Sequence, residues 1–141
     1  MRSVRLLIDT TVLLDVVLGR EAFLADALAL FAGAEAGAFH GFIGATSVTT
    51  AHYFARKALG SGPGLEVVRR LTTLFEVAPV TAAVIGDALA APLGDFEDAV
   101  LAHAAVRAGA RGIVTRDAAG FAGAPLPVYS PAEALAVVRS R

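Results

Sequence analysis

The chain contains no cysteine and little histidine. The absence of cysteine excludes disulfide bonds, zinc sites built on thiolates and a cysteine nucleophile. It is also compatible with a reducing cytosol, so we expect a cytoplasmic protein. The three histidines, His40, His52 and His103, lack the spacing of zinc ligands, and we interpret them as ordinary surface or core residues.

Long apolar segments are also missing, although 56% of the residues are hydrophobic. The first apolar stretch begins like a signal peptide, but Asp9 and Asp15 interrupt it, so we expect no export. No segment stays apolar and uncharged for the ~18 to 20 residues that a membrane span requires. The 141 residues fit a single domain, 1–141, which we expect to be soluble and not bound to a membrane.

Neither sign of charge is in excess. Twelve Lys and Arg residues balance thirteen Asp and Glu residues, which gives a formal net charge of -1. Bulk electrostatics therefore does not indicate a nucleic-acid-binding protein, and any such binding must depend on a local patch. The glycine-rich segment 60–64 lacks the lysine and threonine of a phosphate-binding loop, and no serine-elbow motif is present.

Short apolar runs alternate with longer amphipathic segments along the whole chain. Asp95–Ala108 is the clearest helix, with Gly109 just beyond its end, and residues 130–133 form a capping box. We expect strands at 4–8, 39–43, 75–79, 112–115 and 126–129, and helices at 12–18, 21–37, 46–59, 65–75, 81–91, 95–108 and after 130, with a loop at 60–64. This alternation predicts an α/β protein with three α/β/α layers and a central, mostly parallel sheet.

Three aspartates stand where a strand ends or a helix begins: Asp9, Asp98 and Asp117. Because the carboxyl ends of parallel strands share one edge of a sheet, we expect these side chains to lie close together there. Closely packed carboxylates repel one another, so either protons are held at raised pKa or a divalent cation neutralises them. Oxygen ligands of this kind suit Mg²⁺ or Mn²⁺ best, and the sequence therefore predicts a site for one of these ions.

Each acidic residue also has a simpler interpretation. Asp9 follows a strand and can serve as a turn or N-cap residue. Asp95, three residues before Asp98, is favoured as the N-cap of the next helix. Asp117 can be a turn residue, and Arg116 beside it can either bind a phosphate or only offset the acids.

Four segments occur in an order that resembles the PIN domain family, and in particular the small prokaryotic members that include VapC-type toxins. They are Ile-Asp-Thr-Thr-Val-Leu-Leu-Asp at 8–15, Asp-Phe-Glu-Asp-Ala-Val-Leu-Ala-His-Ala-Ala at 95–105, Ile-Val-Thr-Arg-Asp at 113–117 and Pro-Val-Tyr-Ser-Pro-Ala-Glu-Ala-Leu at 127–135. The resemblance covers essentially the whole chain. It implies a ribonuclease that uses acidic residues and Mg²⁺ or Mn²⁺ to hydrolyse RNA phosphodiester bonds.

The resemblance also implies roles for individual residues. On the family's pattern Asp9, Asp98 and Asp117 are the catalytic, metal-binding acids, and Asp95 is an additional metal-binding acid. Hydroxyl positions near the metals match Thr10 and Thr115, which we predict to bind substrate together with Arg116. The implied partners are the RNA substrate, a cognate antitoxin protein and a second copy of the chain in a homodimer.

The chain departs from the family's pattern at three positions. Thr50 stands where VapC-type members usually have a glutamate, Gly120 where an aspartate is frequent, and Thr11 where asparagine is usual. Fewer carboxylates make a weaker metal site, which favours a one-metal or low-activity enzyme. The same departure at Thr50 supports an alternative, an inert PIN-like module that binds RNA or protein, and metal affinity separates the two.

Two other proteins with an acidic sheet edge fit less well. A phosphoacceptor receiver domain needs a lysine near the late strand, whereas the only lysine, Lys57, lies in a predicted helix. A DxD phosphatase needs an aspartate at the position that Thr11 occupies. Both therefore rank below the nuclease and the binding module.

Overall fold

A computed structural model describes residues 4–140 of the chain. It contains one sheet, whose strands are β1 (Arg5–Ile8), β2 (His40–Gly44), β3 (Glu76–Ala78), β4 (Gly112–Val114) and β5 (Val128–Tyr129). The strand order is β3-β2-β1-β4-β5, and every neighbouring pair is parallel. The predicted α/β class with a parallel central sheet is confirmed.

Seven α-helices and one short 3₁₀ helix connect and cover the strands in the described part of the chain. They are α1 (Thr10–Val17), α2 (Glu21–Glu35), α3 (Ala45–Leu59), α4 (Ser61–Leu74), α5 (Ala82–Ala90), α6 (Phe96–Ala108), the 3₁₀ helix Ala118–Phe121 and α7 (Pro131–Arg139). Among residues 4–140, no helix combines the length and the apolar character that crossing a membrane requires.

Two apolar clusters, one on each face of the sheet, hold the three layers together. Leu6 and Ile8 of β1 point to the face covered by α1, α2, α3, α4 and α7, whereas Leu7 between them points to α5 and α6. This alternation follows from the two-residue period of a strand, and burial on both faces explains why β1 is apolar throughout its centre. The run from Ala99 to Ala105 is wholly buried against the second face.

Most helix ends agree with the signals in the sequence. Thr81 accepts a hydrogen bond from the backbone of Val84 and so caps α5, and Gly109 ends α6 in a left-handed conformation, with φ of 87°. Ser130 and Glu133 form the expected capping box at the start of α7. The strands differ from their predicted bounds by one or two residues at most ends, as is usual where elements fray.

The predicted loop over 60–64 is wrong, because α4 already begins at Ser61. Gly60 turns the chain with φ of 97°, and Pro63 is tolerated because it lies in the first helical turn, where no backbone donor is needed. A Cβ at Gly64 would lie 2.9 Å from Cα of Arg56. Gly64 therefore lets α3 and α4 approach closely, and this packing outweighs the low helix propensity of glycine.

The parallel register fixes which residues meet at the carboxyl edge of the sheet. Ile8 of β1 pairs with Val114 of β4, so the residues that follow them, Asp9 and Thr115, leave the sheet at the same level. The backbone N–H of Asp9 donates to the carbonyl of Val114 at 2.9 Å. This edge is where open parallel sheets bind their ligands.

Candidate functional site

Asp9 is the most deeply buried acid at this edge, with 4% of its surface exposed. Its Oδ1 accepts a hydrogen bond from the backbone of Thr10 at 2.8 Å, so it does cap α1 as the simpler interpretation holds. Its Oδ2 accepts from the hydroxyl groups of Thr11, at 2.9 Å, and Thr115, at 2.8 Å. These bonds fix the orientation of the carboxylate, but every donor is neutral.

Asp98 enters the site from the first turn of α6, where it is half-buried. Asp95 caps the helix by accepting a hydrogen bond from the backbone of Asp98 at 3.0 Å, as expected for a residue at this position. The small residues that follow Asp98 allow α6 to pack closely on the sheet. The side chain of Asp98 is thereby held beside the edge where Asp9 lies.

Asp117 caps the 3₁₀ helix that follows β4, because its Oδ1 accepts from the backbone of Gly120 at 3.2 Å. Its remaining oxygen, Oδ2, faces the same point as Oδ2 of Asp98. A Cβ built on Gly120 would lie 2.5 Å from Oδ2 of Asp98 and 2.8 Å from Oδ2 of Asp117. The absence of a side chain at Gly120 therefore lets the two carboxylates approach each other.

The electrostatics of the group show the cost of this crowding. Burial, followed by the negative charges of Asp9, Asp95, Asp117 and Glu97, raises the pKa of Asp98 to about 7. Burial also raises the pKa of Asp9, although the hydrogen bonds from Thr115, Thr11 and Thr10 oppose that effect. None of these four aspartates forms an ion pair with a basic side chain of residues 4–140.

The residues present fit a hydrated divalent cation better than a fully protein-coordinated one. Within residues 4–140, no three Asp, Glu or His side chains are close enough together to hold one ion among themselves. Mg²⁺ does not require such a cage, since it retains several waters and is commonly held by one or two carboxylates together with substrate phosphates. Asp98 and Asp117, whose oxygens converge at Gly120, offer such a pair.

The predicted hydroxyl residues contact protein partners at the site. Thr115 is buried and bonded to Asp9, and the hydroxyl group of Thr10 lies 2.6 Å from that of Ser47. Thr50, at the position where VapC-type members usually have a glutamate, carries no charge, and its hydroxyl group donates to the carbonyl of Thr46 in its own helix.

Arg116 lies beside the site, but its guanidinium group contacts another acid. Its Nε and Nη2 donate to the two carboxylate oxygens of Asp15 at 2.6 and 3.0 Å. In the sequence, Asp15 interrupts an apolar stretch and ends the segment 8–15, and neither feature indicates this pair. The sequence shows only that Asp15 is a single charge among the apolar residues of α1. It does not show that the partner is Arg116, which lies 101 positions away.

Comparison with protein families supports the resemblance seen in the sequence. The family model of the PIN domain matches residues 5–119 of the chain. The chain belongs to the PIN domain family. No curated protein matches the sequence.

Several solved structures that resemble this PIN domain come from toxin-antitoxin systems. One is the DNA-bound VapBC complex of Salmonella typhimurium, with a TM-score of 0.68 and 19% identity over 91% of this chain and 98% of that one. Another is a toxin-antitoxin complex from Klebsiella pneumoniae, with a TM-score of 0.67 and 22% identity over 89% of this chain and 96% of that one. A third is a Mycobacterium tuberculosis VapC toxin that cleaves the sarcin-ricin loop, with a TM-score of 0.60 and 16% identity over 77% of this chain and 86% of that one. These similarities establish a shared fold.

Proposed function

We propose that the protein is a metal-dependent endoribonuclease and the toxin of a toxin-antitoxin pair. The observation that carries the proposal is the group formed by Asp9, Asp98 and Asp117, which converge at one sheet edge without a basic partner among the described residues. Such a group is costly for a protein that does not bind a cation there. Membership of the PIN domain family and the similarity to a toxin that cleaves the sarcin-ricin loop support the choice of reaction.

The chain's own residues supply binding and orientation. Asp98 and Asp117 would hold Mg²⁺ or Mn²⁺, and Asp9, whose carboxylate three donors keep in one orientation, would complete the acidic surface around the ion. When bound, such an ion supplies Lewis-acid chemistry and an activated water for phosphodiester hydrolysis. In the metal-free protein Asp98, whose pKa is raised to about 7, holds a proton for part of the time at neutral pH, and this proton would leave when the carboxylate binds the ion.

Cleavage of RNA tests the proposal directly. Purified protein is incubated with a structured RNA mixture in Mn²⁺, Mg²⁺ or EDTA, beside the Asp9→Asn and Asp98→Asn variants, whose folding is checked by circular dichroism. We expect cutting that requires the metal and falls by more than about 100-fold in both variants, as for loss of a group that stabilises the transition state. The exposed Asp26→Asn substitution is the matched control and leaves the rate unchanged. Cleavage that persists in EDTA contradicts the proposal.

A second candidate function is the inert binding module, which the uncharged Thr50 favours. Such a protein would bind RNA or a protein partner at the same surface without cutting it. The two functions separate by calorimetry, because the nuclease must bind Mn²⁺ and an inert module need not. Protein that neither binds Mn²⁺ nor cuts RNA, but retains RNA in a filter-binding assay, would establish the module.

A groove between α2 and α4 offers a place for the proposed antitoxin. It has a volume of about 640 Å³, and its walls include Leu28, Phe31 and Leu71, with Glu66 and Arg70 at the rim. An apolar helix with charges on its flanks suits such a groove. The solved toxin-antitoxin complexes from Salmonella and Klebsiella support this kind of partner.

Co-purification with the product of the adjacent reading frame tests the partner. The Leu28→Glu substitution places a charge in the groove and is expected to abolish the association. Leu89→Glu on α5, where the leucine is 67% exposed against 46% for Leu28, is the control and is expected to leave the complex intact. Equal recovery of the complex from both variants would exclude the groove.

The homodimer implied by the family resemblance is measured in the same preparation from the mass in solution.

A further inference from the structure

Asp15 of α1 is wholly buried and is paired with arginine. Its side chain is 0% exposed, and both of its oxygens accept hydrogen bonds from Arg116 in a bidentate arrangement. Arg20 adds a longer ion contact of 3.6 Å to Oδ1. The geometry is the planar pairing that arginine forms best with a carboxylate.

The guanidinium group of Arg116 is fixed on its face as well as on its edge. Its central carbon lies 3.7 Å from the centre of the ring of Phe23 in α2, and its side chain is 24% exposed. Stacking of this kind adds to the ion pair and disfavours other rotamers. Arg116 is therefore held simultaneously by α1 and α2.

The main chain at Arg116 leads directly into the candidate site. On one side, the hydroxyl group of Thr115 donates to Asp9 and accepts a hydrogen bond from the backbone N–H of Asp117 at 2.9 Å. On the other side, Asp117 begins the 3₁₀ helix that contains Gly120. Two consecutive residues, Thr115 and Arg116, thus attach the segment that carries Asp117 to the start of the chain.

We propose that Asp15 is a positioning residue, which fixes Asp117 beside Asp98 by holding Arg116. This inference builds on the proposed metal site but concerns residues outside it. Replacement of a buried ion pair by apolar residues of similar volume is often neutral for stability, so stability alone does not account for such a pair. Its directional hydrogen bonds, in contrast, fix the backbone of residues 115–117 in one position.

The test uses a variant that keeps the volume of the pair but removes its directionality. Asp15→Leu combined with Arg116→Met replaces both charges, and the single variant Asp15→Asn keeps the shape while weakening the hydrogen bonds. The control is Asp87→Asn, which breaks the other bidentate pair, formed with Arg107 at 2.6 and 3.2 Å on the surface. All variants are compared with the wild type in urea denaturation, so that loss of folding is recognised.

Hydrogen exchange of the segment 115–121 in metal-free protein is the first readout, because it does not depend on activity. We expect at least tenfold faster exchange there in the Asp15 variants, with little change elsewhere and none in Asp87→Asn. Calorimetry is the second readout, and we expect the Kd for Mn²⁺ to rise about tenfold in the Asp15→Leu/Arg116→Met protein. Unchanged exchange at 115–121 in a variant of wild-type stability would overturn the inference.

Two further outcomes keep this inference distinct from the proposed function. If the wild type binds no Mn²⁺ and cuts no RNA, the proposed function fails, while the exchange measurement still decides whether Asp15 positions the segment. If Arg116→Met alone raises KM for RNA and leaves both exchange and Mn²⁺ affinity unchanged, Arg116 contacts the substrate, and the positioning role is overturned.

Discussion

Asp9 and Asp15 lie six residues apart, at the start and near the end of the same helix, yet their surroundings are opposite. Both are buried, at 4% and 0% exposure. Asp15 accepts its hydrogen bonds from the guanidinium group of Arg116, whereas Asp9 accepts its own from two hydroxyl groups and a backbone N–H. One charge is neutralised by the protein, and the other is oriented but not neutralised.

The difference separates an acid that the protein itself neutralises from one that we propose to act in a cation site. A buried carboxylate with a bidentate arginine is complete without a ligand. A buried carboxylate with other carboxylates as neighbours raises their pKa values and gains stability only when a proton or a cation arrives. Perturbed groups of the second kind are characteristic of sites that bind or react, and Asp9 with Asp98 forms such a group.

Breaking the neutralised pair is expected to give the largest effect on stability. Arg116→Gln leaves Asp15 buried without its main partner, and the free energy of unfolding should fall by about 3 kcal/mol. Urea denaturation measures the change. Asp87→Asn is the control, because the pair with Arg107 lies at the surface, where solvent screens the charges and the pair contributes much less to stability. Equal losses in the two variants would contradict the distinction between the buried and the exposed pair.

Filling the space beside Gly120 is expected to affect the unneutralised group next. Gly120→Ala would place a methyl group within 3 Å of Oδ2 of both Asp98 and Asp117, so one carboxylate must move away. Moving the carboxylate costs ~1 to 2 kcal/mol, so the affinity for Mn²⁺, measured by calorimetry, should fall about tenfold. Gly86→Ala is the control, because a Cβ there meets no atom within 4 Å. Wild-type affinity in Gly120→Ala would show that the two oxygens do not bind the ion together.

A smaller effect is expected in the pH dependence of stability of the metal-free protein, which tests whether the acids at the sheet edge are left unneutralised. The pKa of Asp98 is about 7 in the folded state against 3.8 for an ordinary aspartate, so the folded state binds the proton more tightly between these values. The resulting stabilisation is complete below about pH 4 and is lost as the pH rises through 7. We expect a loss of about 1 kcal/mol after allowance for solvent screening, measured by urea denaturation at pH 5 and pH 8.

The Asp98→Asn protein is the comparison for that experiment. Its stability should change less between pH 5 and pH 8, and at pH 8 it should equal or exceed that of the wild type, because the repulsion is gone. Asp26→Asn, an exposed substitution on α2, should retain the wild-type dependence. If Asp98→Asn shows the full wild-type dependence, the titration belongs to another group.

The fold was largely predictable because its signals are local. Apolar runs of strand length, the cap at Thr81, the glycine at 109 and the capping box at Ser130 each act within a few residues. The start of α4 was not predictable, since Gly62 and Gly64 normally favour a loop and only the close packing of α3 on α4 explains their place in a helix. Strand order likewise depends on contacts between distant parts of the chain.

The acidic residues of the candidate site were predictable, but the contacts around them were not. Asp9, Asp98 and Asp117 follow strands or open helices, and parallel topology brings such positions to one edge. The pairing of Asp15 with Arg116, the contact between Thr10 and Ser47 and the approach of two carboxylates at Gly120 were not predictable. Each depends on how side chains from distant parts of the chain are oriented in the fold. A single sequence contains no periodicity or spacing that indicates such contacts.

Calorimetric titration of the protein with Mn²⁺ at pH 7, in two buffers of different ionisation enthalpy, tests the central claim most directly. The claim is that the unneutralised acids at the sheet edge form a cation site. It predicts binding by the wild type accompanied by release of part of a proton from Asp98, and affinity at least tenfold weaker in Asp98→Asn. No binding by the wild type, or equal binding by Asp98→Asn, would contradict the claim.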